Sequence, residues 1–358
     1  MKKIRLNEEG EVFWVTDIHM QNSNLDRCKK LFSFIAKIVH ERQIKTIVCG
    51  GDIYDGKDII RSKCQNLLFS FLSDMKKRDV DFIALVGNHD YEETINAAHL
   101  DKEANYPDHS LKPLENLSNV TIVDFPTVIG DIGFIPYRGN NAHMLLSLSS
   151  IQDAKYVFIH EGVMGYDFGT GRADDFSLPL DKYKGFKKVY AGHYHNSHVM
   201  GNVIYLGSPL THSFGESNQV KNIGIINFKK KGKVEYVIVD LPQHLSFDVN
   251  ASAVINDKNS TVLEKSKYCD YFIRFVISGK KEELSIAEEK LRKTYNNLNN
   301  LKIVLKPEIE KANRMNIAEE MKEEKMIEVY LSNYNTNLDK KELLERAKKF
   351  IGDEDASV

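Results

Sequence analysis

Apolar residues in the first part of the chain occur either in short runs or at helical spacing. The short runs are Val12–Thr16, Ile44–Cys49 and Phe82–Val86, and continuous apolar runs of this length are typical of strands buried on both faces. Between them, residues 25–42 and 60–78 carry apolar positions three and four residues apart, which is typical of amphipathic helices. This alternating order of strands and helices predicts right-handed crossovers and a largely parallel sheet.

A second group of apolar runs follows the first. These runs are Val120–Val123, Ile132–Pro136, Lys155–Ile159, Lys187–Ala191, Val203–Leu206, Gly224–Phe228 and Val234–Val239. We therefore predict an α/β (α+β) fold, in which two mixed β-sheets are flanked by helices and the unit ends near Leu245.

The pattern changes beyond this unit. A polar linker is predicted at 250–267, and a compact β-α-β unit at 271–305. Residues 316–350 are highly charged and predict two helices with only short apolar faces. We predict three parts: a main α/β unit at 1–245, a small β-α-β unit with its linker at 246–310, and a helical tail at 311–358.

Composition and charge limit the classes of protein to which this chain can belong. Of 358 residues, 42% are hydrophobic, and the formal net charge is −2, so any contact with nucleic acid needs a local basic surface. The four cysteines form no C-x-x-C pair, which favours a reducing compartment. The sequence contains no secretion signal and no run of 18 apolar residues. We expect a cytoplasmic protein without a membrane span.

Five of the predicted strands end in residues that bind metal ions. These residues are Asp17 with His19, Asp52, Asn88 with His89, His160, and His193 with His195. Each of them alone is more often a turn or surface residue, but the carboxyl ends of strands in such folds meet at one edge, where ligands bind. Carboxylates, an amide oxygen and imidazoles together suit a pair of divalent ions.

The order of these motifs, D-x-H, G-D, G-N-H-D, a lone His and G-H-x-H, resembles the calcineurin-like metallophosphoesterases over residues 12–239. The resemblance implies two ions, with Mn²⁺ favoured and Mg²⁺, Fe²⁺ or Zn²⁺ as alternatives. It implies one ligand set of Asp17, His19, Asp52 and His195, and a second set of Asp52, Asn88, His160 and His193.

The same resemblance gives His89 a role away from the metals. In the family, the matching His stabilises the transition state or protonates the leaving oxygen, and imidazole can carry a proton near neutral pH. Asp55 lies three residues after Asp52, where some family members use an Asp to orient that His. We predict an Asp55–His89 pair.

The sequence after the G-H-x-H motif favours a nuclease. Residues 205–216, YLGSPLTHSFGE, resemble a segment of the SbcD-type DNA-repair nucleases and of the phage recombination endonuclease subunit of the same architecture. The resemblance implies exonuclease or endonuclease activity on DNA in repair and recombination, with 1–245 as the catalytic domain and 246–310 as a small capping domain with its linker. It also implies a homodimer and an SbcC-type coiled-coil ATPase that binds the tail. A stand-alone metallophosphodiesterase or phosphatase acting on a small or nucleotide phosphoester is the alternative. His198, His212 and Arg138 are candidate substrate contacts.

Overall fold

The computed structural model describes residues 10–57, 59–92, 108–168, 172–257 and 268–308, together with 341 and 343–345. Two six-stranded mixed sheets form the main body. The predicted fold class is confirmed. In the described part of the chain, no helix is both long and apolar enough to span a membrane.

The first sheet is built from the first group of apolar runs together with the first run and the last two runs of the second group. Its order is β12-β11-β1-β2-β3-β4, in which β1 to β4 are parallel to one another and β11 is antiparallel to both of its neighbours, β1 and β12. Its strands are β1 (Glu11–Val15), β2 (Thr46–Cys49), β3 (Asp81–Leu85), β4 (Val120–Val123), β11 (Asn222–Asn227) and β12 (Lys233–Ile238). Because β1, β2 and β3 are parallel neighbours, the segments that follow them emerge side by side.

The second sheet has the order β5-β6-β7-β8-β10-β9. Its strands are β5 (Thr127–Ile129), β6 (Ile132–Ile135), β7 (Tyr156–His160), β8 (Lys188–Gly192), β9 (His198–Met200) and β10 (Val203–Tyr205). Strands β6, β7, β8 and β10 run parallel, and the edge strands β5 and β9 are antiparallel to their neighbours.

An aromatic core joins the two sheets. Trp14 of the first sheet packs edge-on against Phe158 and Tyr190 of the second, with ring centroids 6.1 and 5.4 Å apart. On the other face of the first sheet lie the helices α1 (Leu25–Glu41) and α2 (Ser62–Lys77). The helix α3 (Asn141–Ser150) packs on the other face of the second sheet. Burial on both faces explains why the central strands are continuously apolar.

A third, all-parallel sheet follows, with the order β13-β14-β15. Its strands are β13 (His244–Asn250), β14 (Phe272–Gly279) and β15 (Asn300–Pro307), and one face packs against the helices α4 (Ala251–Ile255) and α5 (Lys281–Thr294). The β-α-β unit predicted at 271–305 is present. The structure adds β13 and places α4 inside the predicted linker. The tail predicted at 311–358 lies outside the described residues, apart from 341 and 343–345.

Arg27 of α1 connects the main body to the start of the third sheet. Its guanidinium donates to the carbonyl oxygens of Pro242 and Thr211 at 2.9 and 2.8 Å, and to the Gln243 side chain at 3.2 Å. It also lies 5.2 Å above the ring of Phe272. Burial lowers the pKa of Arg27 to about 10, which leaves it charged at neutral pH.

We expect Arg27→Met to destabilise the protein by about 1–3 kcal/mol, because it leaves buried carbonyl groups without a donor. Urea unfolding followed by tryptophan fluorescence measures the change. Lys30→Met is the matched control, since Lys30 forms an exposed ion pair with Asp270 across the same boundary. That variant should lose about 1 kcal/mol or less. Equal losses for the two variants would contradict a special role for Arg27.

Candidate dinuclear metal centre

The seven predicted metal ligands lie together at the carboxyl ends of β1, β2, β3, β7 and β8. One tight group contains a carboxylate oxygen from each of Asp17 and Asp52 and a ring nitrogen of His160, all within 4.8 Å of one another. The other predicted ligands join this group through the contacts described below. The parallel registers of the two packed sheets bring these chain segments to one place.

The backbone holds several of these residues in an unusual conformation. Asp17, His19, Asp52 and His193 have φ angles of 54°, 45°, 52° and 87°. Non-glycine residues rarely adopt this left-handed region, and each instance costs about 1–3 kcal/mol. Such strain is common at functional sites, and here all four residues are predicted metal ligands.

Gly87 allows the loop after β3 to approach Asp52 closely. A Cβ atom at position 87 would lie 2.1 Å from Oδ1 of Asp52 and 2.4 Å from its backbone nitrogen. The absence of a side chain lets the N–H of His89 reach the same Oδ1 at 2.8 Å. Gly87 is therefore required by close approach of two backbones.

His19 and His195 are oriented so that they could hold one ion together. Nδ1 of His19 lies 3.2 Å from Oδ1 of Asp55, and Nδ1 of His195 lies 2.8 Å from Oε1 of Glu216. Because carboxylates only accept, both Nδ1 atoms carry a proton, and each ring in its neutral form presents a lone pair at Nε2. These two Nε2 atoms face each other at 3.1 Å. Two lone pairs at this distance repel unless a cation lies between them.

The main chain orients His160 in a similar way. Its Nδ1 donates to the carbonyl oxygen of Gly50 at 2.6 Å, so the neutral ring presents a lone pair at Nε2. That Nε2 lies 3.1 Å from Oδ1 of Asn88 and 3.3 Å from Oδ2 of Asp52, neither of which is a donor. Nδ1 of His193 lies 2.8 Å from the same oxygen of Asn88. These atoms form the second ligand group.

The charges at this centre favour positive partners for Asp52. Burial opposes ionisation of Asp52, but His160 and His19 hold the pKa of its carboxyl well below the usual range. Burial likewise opposes protonation of His160, yet the neighbouring Asp52 carboxylate raises the pKa of His160 to about 10. The donor set of carboxylates, imidazoles and an amide oxygen therefore fits divalent metal ions.

Asp55 and His89 interact differently from the prediction. The Asp55 carboxylate contacts His19, whereas Nδ1 of His89 lies 3.0 Å from the backbone carbonyl oxygen of Asp55. The prediction did not include this contact because His19 and Asp55 lie 36 residues apart in the sequence. Residue 55 still contacts His89, but through its main chain.

The three candidate substrate contacts lie in different surroundings. The His212 ring is 4.8 and 4.9 Å from the rings of His19 and His195, and its Nε2 contacts the carbonyl oxygen of Asp17 at 3.1 Å. His198 lies on β9, where its ring packs 5.6 Å from Tyr166. The Arg138 side chain is buried, with its guanidinium 6.0 Å from the Phe125 ring. Of the three, only His212 contacts the predicted ligands in the described structure.

Sequence reasoning missed Asp90 and the pair Glu216–Lys221. Oδ2 of Asp90 accepts from the N–H of Gly87, and Oδ1 accepts from those of Ile53 and Tyr54. Asp90 therefore ties the loop after β3 to the loop after β2. It is the last residue of G-N-H-D, so the motif contained it without indicating its partners. Glu216 closes the YLGSPLTHSFGE segment, and Lys221 carried no signal of its own.

The same residues match a family model. Residues 11–239 match the calcineurin-like phosphoesterases. The chain belongs to this family. It is a phosphoester hydrolase, and the family binds divalent metal ions, which the His and Asp clusters of this chain could hold.

Three relatives have identities between 22% and 25%. Phosphoesterase 244L of Invertebrate iridescent virus 6 is 25% identical over 282 residues, covering 72% of this chain and 90% of that protein. Exonuclease subunit 1 of Enterobacteria phage T4 is 23% identical over 260 residues, covering 71% of each. The DNA double-strand break repair protein Mre11 of Nanoarchaeum equitans is 22% identical over 245 residues, covering 61% of this chain and 66% of that protein.

We expect Gly87→Ala to weaken Mn²⁺ binding by at least tenfold, because the new Cβ must displace Asp52. Isothermal titration calorimetry measures this change. Gly185→Ala is the matched control, since a Cβ there meets no atom within 4 Å. Wild-type affinity in Gly87→Ala would show that the loop after β3 can move away from Asp52 without disturbing the centre.

Proposed function

We propose that this chain is a metal-dependent DNA nuclease that hydrolyses phosphodiester bonds with two divalent ions, Mn²⁺ being the favoured metal. The observation that carries the proposal is the complete pair of ligand groups, with Asp52 between them and His89 beside them. The similarity to an exonuclease subunit and to a DNA repair protein supports DNA as the substrate.

The proposed ligands and His89 have separate roles in this reaction. Asp17, His19, Asp52 and His195 hold one ion, and Asp52, Asn88, His160 and His193 hold the other. When bound, such ions neutralise phosphate charge and lower the pKa of an attacking water. The carbonyl oxygen of Asp55 fixes His89 through Nδ1, which leaves Nε2 available to stabilise or protonate the leaving oxygen.

The third sheet supports a large substrate. The register places Ser246, Arg274 and Lys302 beside one another on the face opposite the apolar core of this sheet. Arg274 and Lys302 lie 4.8 and 5.8 Å from the ring of Phe214. Phe214 belongs to the same short helical segment as Glu216. A cationic surface so close to the metal centre is suited to a phosphate backbone.

A phosphodiesterase acting on small or nucleotide phosphoesters is the second candidate. Its support is the similarity to phosphoesterase 244L. Purified protein with Mn²⁺ should be assayed on linear double-stranded DNA, single-stranded DNA and bis-p-nitrophenyl phosphate. Hydrolysis of the small ester alone favours the second candidate, whereas a much higher kcat/KM on DNA favours the nuclease.

We expect His89→Gln to reduce kcat on DNA by about 10²–10⁴-fold, because it removes the group that serves the leaving oxygen. Mn²⁺ affinity and stoichiometry should remain unchanged in calorimetry. Asp52→Asn is the contrasting variant and should lose both activity and metal. If His89→Gln lost an ion, His89 would belong to the metal ligands, and the assigned role would be wrong.

We also propose that residues 311–358 bind an SbcC-type ATPase and that α1 and α2 form a homodimer interface. A chain ending at residue 310 should keep its dimeric mass in light scattering, because both helices are retained. It should no longer copurify with the ATPase encoded by the same source. A truncated chain that still binds this ATPase would refute the role of the tail.

A further inference from the structure

Glu216 lies between a buried lysine and a metal-centre histidine. Its Oε1 lies 2.8 Å from Nδ1 of His195, and its Oε2 lies 2.9 Å from Nζ of Lys221. Oε2 also accepts the backbone N–H of His212 at 3.2 Å. Each oxygen of this carboxylate therefore has a defined donor.

Lys221 is buried with only 2% of its side chain exposed. Besides Glu216, its ammonium group contacts the carbonyl oxygen of His195 and the side chains of Ser208 and Gln219, all at 2.9–3.0 Å. Lysine is almost never fully buried unless its charge is paired, and here the pair is Glu216. Lys221 therefore neutralises Glu216 and fastens the loop that carries His195.

In one ligand group, both imidazoles have a charged hydrogen-bond partner at Nδ1. His195 and His19 have carboxylates at Nδ1, from Glu216 and Asp55. In the other group, Nδ1 of His160 is bonded to the neutral carbonyl of Gly50. A carboxylate at Nδ1 fixes the tautomer and makes the other ring nitrogen a stronger ligand. The histidines of the two ion positions are therefore held by different hydrogen-bond partners, carboxylates in one group and a main-chain carbonyl in the other.

We propose that Glu216 and Lys221 are a positioning pair that sets the affinity of the ion held by Asp17, His19, Asp52 and His195. The pair leaves the ion held by Asp52, Asn88, His160 and His193 largely unaffected. Glu216 acts through the His195 ring, and Lys221 acts through Glu216 and through the carbonyl oxygen of His195. The inference rests on the metal centre of the proposed function, and it does not depend on whether DNA is the substrate.

Glu216→Gln tests the pair by removing one of its two acceptor oxygens. Lys221 and the N–H of His212 both require the remaining amide oxygen, so the amide NH₂ turns toward His195. Nδ1 of His195 must then accept, which places the proton on Nε2, where the ion binds. We expect one Mn²⁺ to bind about 10–100-fold more weakly and the other to bind as in the wild type.

Calorimetry of the full-length chain with Mn²⁺ gives the two affinities. Electron paramagnetic resonance gives an independent readout, since the spectrum of a coupled ion pair should become that of a single ion at intermediate Mn²⁺. Glu235→Gln is the matched control because Glu235 forms an exposed ion pair with Arg42. Two wild-type affinities in Glu216→Gln would overturn the proposal. A wild-type chain without bound Mn²⁺ would instead contradict the proposed function.

The double variant separates positioning from a purely structural role. In Glu216→Gln with Lys221→Met, the ammonium no longer requires the amide oxygen. Only the N–H of His212 then competes with His195 for it, and in the wild type the His212 contact is the longer one, at 3.2 against 2.8 Å, so the oxygen can return to His195. We expect this double variant to bind the affected ion more tightly than Glu216→Gln alone. A double variant as weak as the single one would overturn the proposal. A fall in metal-free melting temperature with equal loss of both ions would also overturn it, since the pair would then be structural.

Discussion

The centre of this structure depends on one buried negative charge, the carboxylate of Asp52. Asp52 is only 1% exposed. Its Oδ2 lies between Nε2 of His19 and Nε2 of His160, at 3.4 and 3.3 Å. A buried charge costs several kcal/mol unless it is paired and hydrogen-bonded. The two packed sheets supply that pairing from opposite sides. Asp52 is therefore the point at which the fold and the metal chemistry impose the same requirement.

The backbone around Asp52 compensates for its own strain. The parallel pairing of β1 and β2 continues beyond both strands, with the N–H groups of Asp17 and His19 donating to the carbonyls of Gly51 and Asp52 at 3.0 Å. Asp90 then binds the following N–H groups of Ile53 and Tyr54. These bonds hold left-handed residues that would otherwise relax. Rigid loops of this kind fix the ligand positions before any ion binds.

The features that could be predicted from the sequence depend on local patterns of burial, whereas the features that were missed depend on contacts between distant parts of the chain. Strands buried on both faces were predicted because burial alone makes them continuously apolar, and their polar ends marked the centre. The short edge strands β5 and β9 and the polar strand β13 lack that signal, and so does α3, with its residues NAHMLLSLSS. Glu216 and Lys221 depend on contacts with distant loops, which no local pattern encodes.

The segment that carries Glu216 also contacts the third sheet. Asn218 exchanges hydrogen bonds with the backbone of Ser246, at 2.8 and 3.0 Å, and its N–H donates to the carbonyl of His244. Phe214 packs against His244 and lies under Arg274. A displacement of the third sheet therefore reaches His195 through Glu216, although the sheet provides none of the predicted metal ligands. For this reason, weaker metal binding in a variant of the third sheet would not by itself show that the sheet contributes a ligand.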